Sequence, residues 1–347
     1  MPPGLTGVLM GQSRVILAAA AGGVLFAALG VPAGYMSGAM VAIAALASWR
    51  LAEKLTEPMR VLAMVASGSA IGSGMSPQML QGFGRYPASL AMMAFAVVAI
   101  TIAGAALLRR MPGFSRETAF FAAVPGALSY VFAVAVTTQA DIGRMAVVQV
   151  LRLFFLMAIL PLVVAESGLA MAAPDISVFD PPWLVLVIFM GAFALGSLLE
   201  RIGVAGGMLF GAMIISGGLH ASGYAPGKLP LMVSITGQIL VGAWSGTRFI
   251  GFDWRLLGRI FAISLGSFAL TMGIAGAFAT ISSWLLGTPF AASLLAFAPG
   301  GLEAMTLLAF ALGIDPLFVG AHHLARFVMI SLALPVVTRF WLRGNAE

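Results

Sequence analysis

The sequence predicts an all-α membrane protein made of two inverted repeats, each of about five spans plus one broken or re-entrant segment with a Pro-Gly break. Three observations predict it: long stretches without charge, an internal duplication near an offset of 174 residues, and a Lys/Arg bias that changes sides between the halves.

The uncharged stretches come first. Of 347 residues, 61% are hydrophobic and 9% charged, against about 25% charged in soluble domains. Val15–Trp49 carries no charge, and Ile260–Leu302 runs 43 residues without one. Roughly 20 apolar residues cross a bilayer as a helix. Candidate spans are 15–30, 33–49, 60–76, 87–108, 117–140, 145–165, 183–199, 203–219, 229–247, 259–285, 289–313 and 317–338. Val15–Gly30 imitates a signal peptide, but the apolar character continues to Trp49, so a retained first span is expected. The 42 glycines and 21 methionines suit close helix packing in lipid. No cysteine is present, which excludes disulfides and thiolate metal sites.

The duplication pairs Pro125 with Pro299, Gly126 with Gly300, Leu128 with Leu302, Asp141 with Asp315, Arg152 with Arg326 and Pro161 with Pro335. Gly34-Tyr-Met-Ser-Gly-Ala-Met40 matches Gly207-Met-Leu-Phe-Gly-Ala-Met213, and Gly68-x-x-x-Gly72 matches Gly242-x-x-x-Gly246. Two repeat domains follow, 1–174 and 175–347.

Loop charges set their relative orientation. Loops 50–60 and 109–116 are basic, whereas the matching loops 220–229 and 286–289 carry Lys228 alone and no charge. Conversely, loop 77–86 has only Arg85, and its counterpart 248–259 has Arg248, Arg255 and Arg259. Lys and Arg favour cytoplasmic loops. An inverted arrangement with both termini cytoplasmic places 14 of the 18 bases inside. It requires 117–140 and 289–313 to be broken or to enter and return. The acidic linker 166–182 then lies outside.

The two Pro-Gly breaks hold the chemistry. A proline removes a backbone donor and a glycine permits unusual dihedrals. A helix restarting after such a break presents free N–H groups and partial positive charge. Pro125, Gly126 and Ser129 at the first break, and Pro299, Gly300 and Gly301 at the second, are candidate substrate contacts. Arg152 and Arg326 lie inside apolar helices, where an arginine is costly and faces an interior or a cavity. Both are candidate binders of an anionic group. Glu303 is the expected partner of one of them and, with His323, a candidate carrier of a coupling proton. The structural alternatives are two packing kinks, one buried ion pair, and a His323 that serves only as an interhelical hydrogen bond. Gln149 aligns with His323. His322 points about 100° away from His323 and cannot share its site. Asp141 and Asp315 are expected to cap the helices that follow them, and His220 is expected in a solvated loop.

At Pro299-Gly-Gly-Leu-Glu-Ala-Met with Arg326, and at Pro125-Gly-Ala-Leu-Ser with Arg152, the chain resembles the bacterial AbrB-type integral membrane family over nearly its whole length. The resemblance implies a duplicated inner-membrane protein with a Pro-Gly-Gly-Leu motif in each half. Here Ala127 replaces the second glycine of the first motif, and Ser129 stands where Glu303 stands. Members of that family are labelled ammonia monooxygenases or transcriptional regulators. This sequence lacks ligands for an oxygenase metal and a soluble DNA-binding domain, so neither activity is expected directly.

The expected function is a secondary transporter of a small anionic or zwitterionic metabolite, coupled to protons. The alternative is a membrane-embedded sensor that affects gene expression indirectly. No enzyme activity, cofactor, metal or nucleic-acid partner is expected. The expected partners are a small-molecule substrate, membrane lipid and, as an option, a second copy in a homodimer.

Overall fold

The computed structural model describes residues 5–74, 86–166 and 179–339, without the side chains of 5–9, Ser129 and 165–166. The predicted loop 77–86 falls outside these residues except for Tyr86, as do most of the acidic linker with its boundary near Pro174, and the C-terminal Arg343.

Among the described residues the chain forms fourteen α-helices and no β-strand. They are α1 (Leu5–Ala28), α2 (Gly34–Ser48), α3 (Glu57–Ser73), α4 (Tyr86–Arg109), α5 (Arg116–Ala123), α6 (Leu128–Ala135), α7 (Ile142–Glu166), α8 (Pro182–Arg201), α9 (Gly207–Ala221), α10 (Leu231–Gly246), α11 (Trp254–Leu286), α12 (Phe290–Phe297), α13 (Leu302–Ala311) and α14 (Pro316–Val337). They form two series of seven. Adding 173 to both ends of α2 gives both ends of α9, and adding 174 to both ends of α5 gives both ends of α12. The interior prolines Pro161 and Pro335 occupy matching places in α7 and α14.

Among the described residues, six helices are long and apolar enough to cross a membrane: α1 from Met10, α4, α7 to Val164, α8, α11 and α14. The spans expected at 33–49, 60–76, 203–219 and 229–247 are corrected in length. The helices there run only 15 to 17 residues, about 22–26 Å at 1.5 Å per residue, short of a core of about 30 Å. Absence of charge reports an apolar setting, and protein supplies that as well as lipid does.

Two compact units divide the chain, and each takes helices from both series. The first holds Met1–Phe83, Leu160–Gly251 and Thr306–Pro316. In it α3 packs on α9 and α10 on α2, the same contact with the series exchanged. Glycines allow the approach. A Cβ on Gly68 would overlap the Leu209 carbonyl, and one on Gly242 would overlap the Met36 carbonyl. The two Gly-x-x-x-Gly pairs are therefore packing faces, as small residues at membrane-helix contacts usually are. At one end Arg60 of α3 bonds Glu57 and Glu200, and this holds the Glu57 carboxyl below its ordinary range.

His220 corrects the sequence reading. It lies in the last turn of α9, and its buried imidazole meets Asp180 Oδ2 through Nε2 at 2.9 Å. The Nδ1–H donates to the Ser216 carbonyl at 2.6 Å. Asp180 also accepts from the Gly227 amide through Oδ1 at 2.9 Å. A partner 40 residues away leaves no local sequence signal.

The second unit holds Gly84–Ile159, Phe252–Met305 and Leu317–Glu347. It contains α4, α5, α6, α11 and α12, most of α7 and α14, and the start of α13. Both Pro-Gly breaks fall inside it. Asp141 caps α7, accepting from the Arg144 amide at 3.0 Å, as expected of a helix N-terminus. Asp253 does the same for α11, accepting from the Arg255 and Leu256 amides.

Candidate binding site at the two helix breaks

Each break separates two short helices. The first falls between α5 and α6 over Val124–Ala127, the second between α12 and α13 over Ala298–Gly301. Helices α5 and α12 are eight residues each, about 12 Å long. Their last carbonyls have no intrahelical partner and carry partial negative charge.

The two arginines satisfy those carbonyls. In α7, Arg152 donates to Ala122 and Ala123 through Nη1 at 3.4 and 3.3 Å, and to Val124 through Nη2 at 3.0 Å. In α14, Arg326 donates to Ala298 through Nη1 and to Gly300 through Nη2, both at 2.6 Å. Adding 174 carries Val124 to Ala298, so the same cation holds the same carbonyl in both halves. Both side chains are buried, at 4% and 2% exposure. A cation at a helix C-terminus is favoured by the helix dipole. The expected ion pair with Glu303 does not form: among the described residues neither arginine reaches a carboxylate.

Gln149 and His323 provide a second matched clamp. Gln149 Nε2 donates to the Phe121 carbonyl at 2.7 Å. His323 Nε2 donates to the Leu295 carbonyl at 3.0 Å. Adding 174 takes Gln149 to His323 and Phe121 to Leu295. Arg326 Nη2 donates to His323 Nδ1 at 2.6 Å. A carbonyl only accepts and a guanidinium only donates, so His323 is the neutral tautomer with its proton on Nε2. In the first half, among the described residues, no such bond joins Gln149 to Arg152, whose Nη2 donates to Val124 alone. Gln149 Oε1 and Arg152 Nε are buried without a hydrogen-bond partner among the described residues.

The breaks also touch across the repeats. A Cβ built on Gly126 would stand 3.2 Å from Nε of Arg326, and one on Gly301 would stand 3.9 Å from Cδ1 of Leu153. The paired glycines do different work. Gly126 has φ +87°, in the left-handed region. Gly300 does not, but a Cβ there would overlap Met305, which is fully buried. Ala127, which the sequence alignment shows in place of a glycine, has φ +51°, while its counterpart Gly301 does not adopt positive φ. Pro125 and Ala298 are buried in the breaks, and Pro299 lies beside Gly300.

Glu303 occupies the first turn of α13, half-buried, where a carboxylate is stabilised by the helix dipole. Among the described residues it has no hydrogen-bond or ion-pair partner. The side chain of Ser129, its counterpart in α6, is outside the described residues.

His322, which the sequence placed off the His323 face without assigning it a role, faces a different helix. It is fully buried, stacked against Phe318 with ring centroids 4.1 Å apart. Nδ1–H donates to the Phe318 carbonyl at 2.7 Å, and Nε2 meets Ser89 Oγ of α4 at 2.8 Å. Ser89 Oγ also reaches the Tyr86 carbonyl at 3.1 Å. The hydroxyl can donate to a neutral imidazole or accept from a protonated one while donating to Tyr86. The 100° offset from His323 was the available signal that it faces another helix. Among the described residues no group of three or more His, Asp or Glu side chains is arranged to hold a metal ion.

Among the described residues, the fold and the paired breaks thus define a helical protein with six helices long and apolar enough to cross a membrane and a duplicated, arginine-clamped centre. A family profile described as "Transition state regulatory protein AbrB" matches residues 35–342. The chain belongs to this AbrB family. It is also similar to a Bacillus subtilis (strain 168) protein named "Uncharacterized protein YhjN", at 24% identity over 349 residues, spanning 92% of this chain and 90% of the relative.

Proposed function

We propose that this protein is a proton-coupled secondary transporter of a small anionic or zwitterionic metabolite, built as an inverted repeat with its site where the two breaks meet. The observation that carries the reading is the approach of Gly126, at the break of one repeat, to the guanidinium of Arg326 from the other. Discontinuous helices at a repeat interface are the usual substrate sites of secondary transporters.

Charge supports an anionic ligand group. Two guanidinium cations and the N-termini of α6 and α13 face one carboxylate and the C-termini of α5 and α12. With about half a charge at each helix end, roughly one positive charge is left over. Arg152 Nε–H is the open donor. Arg152 and Arg326 hold the breaks in shape and supply the field, and Pro125, Gly126, Ser129, Pro299, Gly300 and Gly301 shape the backbone cradle. Glu303 carries the coupling proton. His323, an alternative carrier by sequence, acts as a positioning group, because its nitrogens are engaged by Leu295 and Arg326.

The inverted topology is supported by the exchanged contacts of α3 on α9 and α10 on α2, together with the loop charges. It puts both termini on the cytoplasmic side of the inner membrane. Cysteines placed singly at Pro112 and Leu286 test it in a chain with no native cysteine. Labelling of the first from inside and the second from outside is expected, and labelling of both from one side sinks the inversion.

Transport itself is tested by proton flux into proteoliposomes on addition of a pool of small organic acids and amino acids. The family description favours a second reading, a membrane sensor with an indirect regulatory effect. That reading predicts ligand binding by thermal shift without flux, and altered transcript levels on deletion without altered metabolite efflux.

A further inference from the structure

A long groove runs along the second unit between α4, α5 and α14, away from the two breaks. Its volume is about 600 Å³. Val97, Thr101 and Ala105 form one wall, Phe120 and Val124 a second, and Ile330 and Leu334 are part of the third. These walls are apolar except for the Thr101 hydroxyl, which donates to the Val97 carbonyl of its own helix at 2.7 Å. At one end the lining changes to two cations, Arg109 and Arg116.

The topology explains why both cations are at the same end. Helices α4 and α14 lie side by side at their N-termini, where the Tyr86 and Phe318 rings are 5.3 Å apart and Ser89 meets His322. Both line the groove farther along, so their C-terminal turns, Arg109 and Val337, reach the same end. The short connection 110–115 brings Arg116, the first residue of α5, back to that end. From Val97 to Arg109 is twelve residues, about 18 Å of helix. One leaflet of a 30 Å hydrocarbon core is about 15 Å deep. The groove therefore has the depth of one leaflet, with its basic end at the headgroup level. Its rim is lipid-like in character: Val98 and Ile102 are 54% and 65% exposed.

We propose that this groove holds one anionic phospholipid, with an acyl chain along α4 and its phosphate on Arg109 and Arg116. Charge complementarity chooses the occupant. No carboxylate lines the groove, and a guanidinium pairs with phosphate through two parallel hydrogen bonds. A zwitterionic lipid offers the same phosphate but brings its own cation to a basic end. Basic pockets between membrane helices at this level are known to take acidic headgroups. The proposal does not depend on the transport reading, because no residue of the breaks other than Val124 lines the groove.

The test uses the full chain, delipidated in a neutral detergent. Native mass spectrometry would count bound phosphatidylglycerol and phosphatidylcholine of identical acyl chains, with glycerol 3-phosphate as the headgroup alone. Phosphatidylglycerol is expected to bind at least about tenfold more tightly than phosphatidylcholine, and glycerol 3-phosphate not at all at the same concentration. Each basic contact near a membrane surface contributes about a fivefold preference. Arg109→Gln should therefore cut the preference about fivefold, and the double variant with Arg116→Gln should abolish it. Arg109 is exposed at a helix end, so its variant keeps the fold even if loss of Arg116 does not. Thr101→Trp, which fills the groove, should reduce binding of both lipids. Equal retention of the two lipids by the wild-type chain would overturn the proposal. So would a preference that survives Arg109→Gln and Thr101→Trp unchanged, or binding of the headgroup alone as tightly as the lipid.

Discussion

The first and second breaks are one device built with different side chains. In both, an arginine on the next helix but one holds the carbonyls at the end of a half-helix, and a residue three positions earlier holds a carbonyl deeper in it. The first half uses an amide for that second contact and the second half an imidazole. Because Gln149 does without titrating what His323 does, holding the half-helix is the common role. What remains peculiar to the second break is Glu303, with Ser129 in its place at the first. The comparison therefore separates the arginine-held scaffold, which is shared, from the carboxylate, which is not.

The largest expected effect comes from removing a clamp. Arg326→Ala strands two carbonyls and the His323 Nδ1 in a buried site, and each buried acceptor left unsatisfied costs about 1–3 kcal/mol. Arg152→Ala removes longer bonds, 3.0–3.4 Å against 2.6 Å, and should cost less. Thermal unfolding in detergent measures both. Equal losses would mean that the two halves bear the same load.

Next in size is the glycine comparison. Gly300→Ala forces a Cβ into Met305 and should destabilise by roughly 1–3 kcal/mol, the usual range for overpacking. Gly301→Ala meets only an ordinary contact and should stay within about 0.5 kcal/mol. The reverse order would contradict the geometry of the second break.

His323→Gln copies the first half into the second. The amide keeps a donor for Leu295 and an acceptor for Arg326, so stability should fall by no more than about 1 kcal/mol. His323→Leu keeps neither and should lose about 2 kcal/mol or more. If His323→Gln behaves like His323→Leu, the imidazole does something that the amide cannot.

The smallest effect is a gain. Ala127 holds a left-handed conformation that costs an L-residue about 1–2 kcal/mol. Glycine removes that strain but adds about 0.4–1 kcal/mol of chain entropy to the unfolded state. Ala127→Gly should raise stability by roughly 0–1.5 kcal/mol, read as a small rise in Tm.

Much of this was legible in the sequence. The offset of 174 located both breaks, matched Arg152 to Arg326, and even aligned Gln149 with His323. Asp141 read correctly as a cap because its spacing is local. The partners of the buried arginines were not legible. Their acceptors are main-chain carbonyls at the ends of α5 and α12, and a carbonyl has no side-chain signature. Glu303 was the only carboxylate in view, so it attracted the pairing. The short helices α2, α3, α9 and α10 read as full spans for a related reason: a charge-free stretch looks alike whether lipid or protein covers it. His220 looked solvated because Asp180 is distant in the chain.

Glu303→Gln tests the central claim most directly. The substitution preserves size and removes the carboxylate while leaving both arginine clamps intact. In proteoliposomes, proton flux driven by a metabolite pool should appear with the wild-type chain and disappear with Glu303→Gln, while thermal stability changes by less than about 1 kcal/mol. Flux of equal size in the two proteins would contradict a coupling role for the second break.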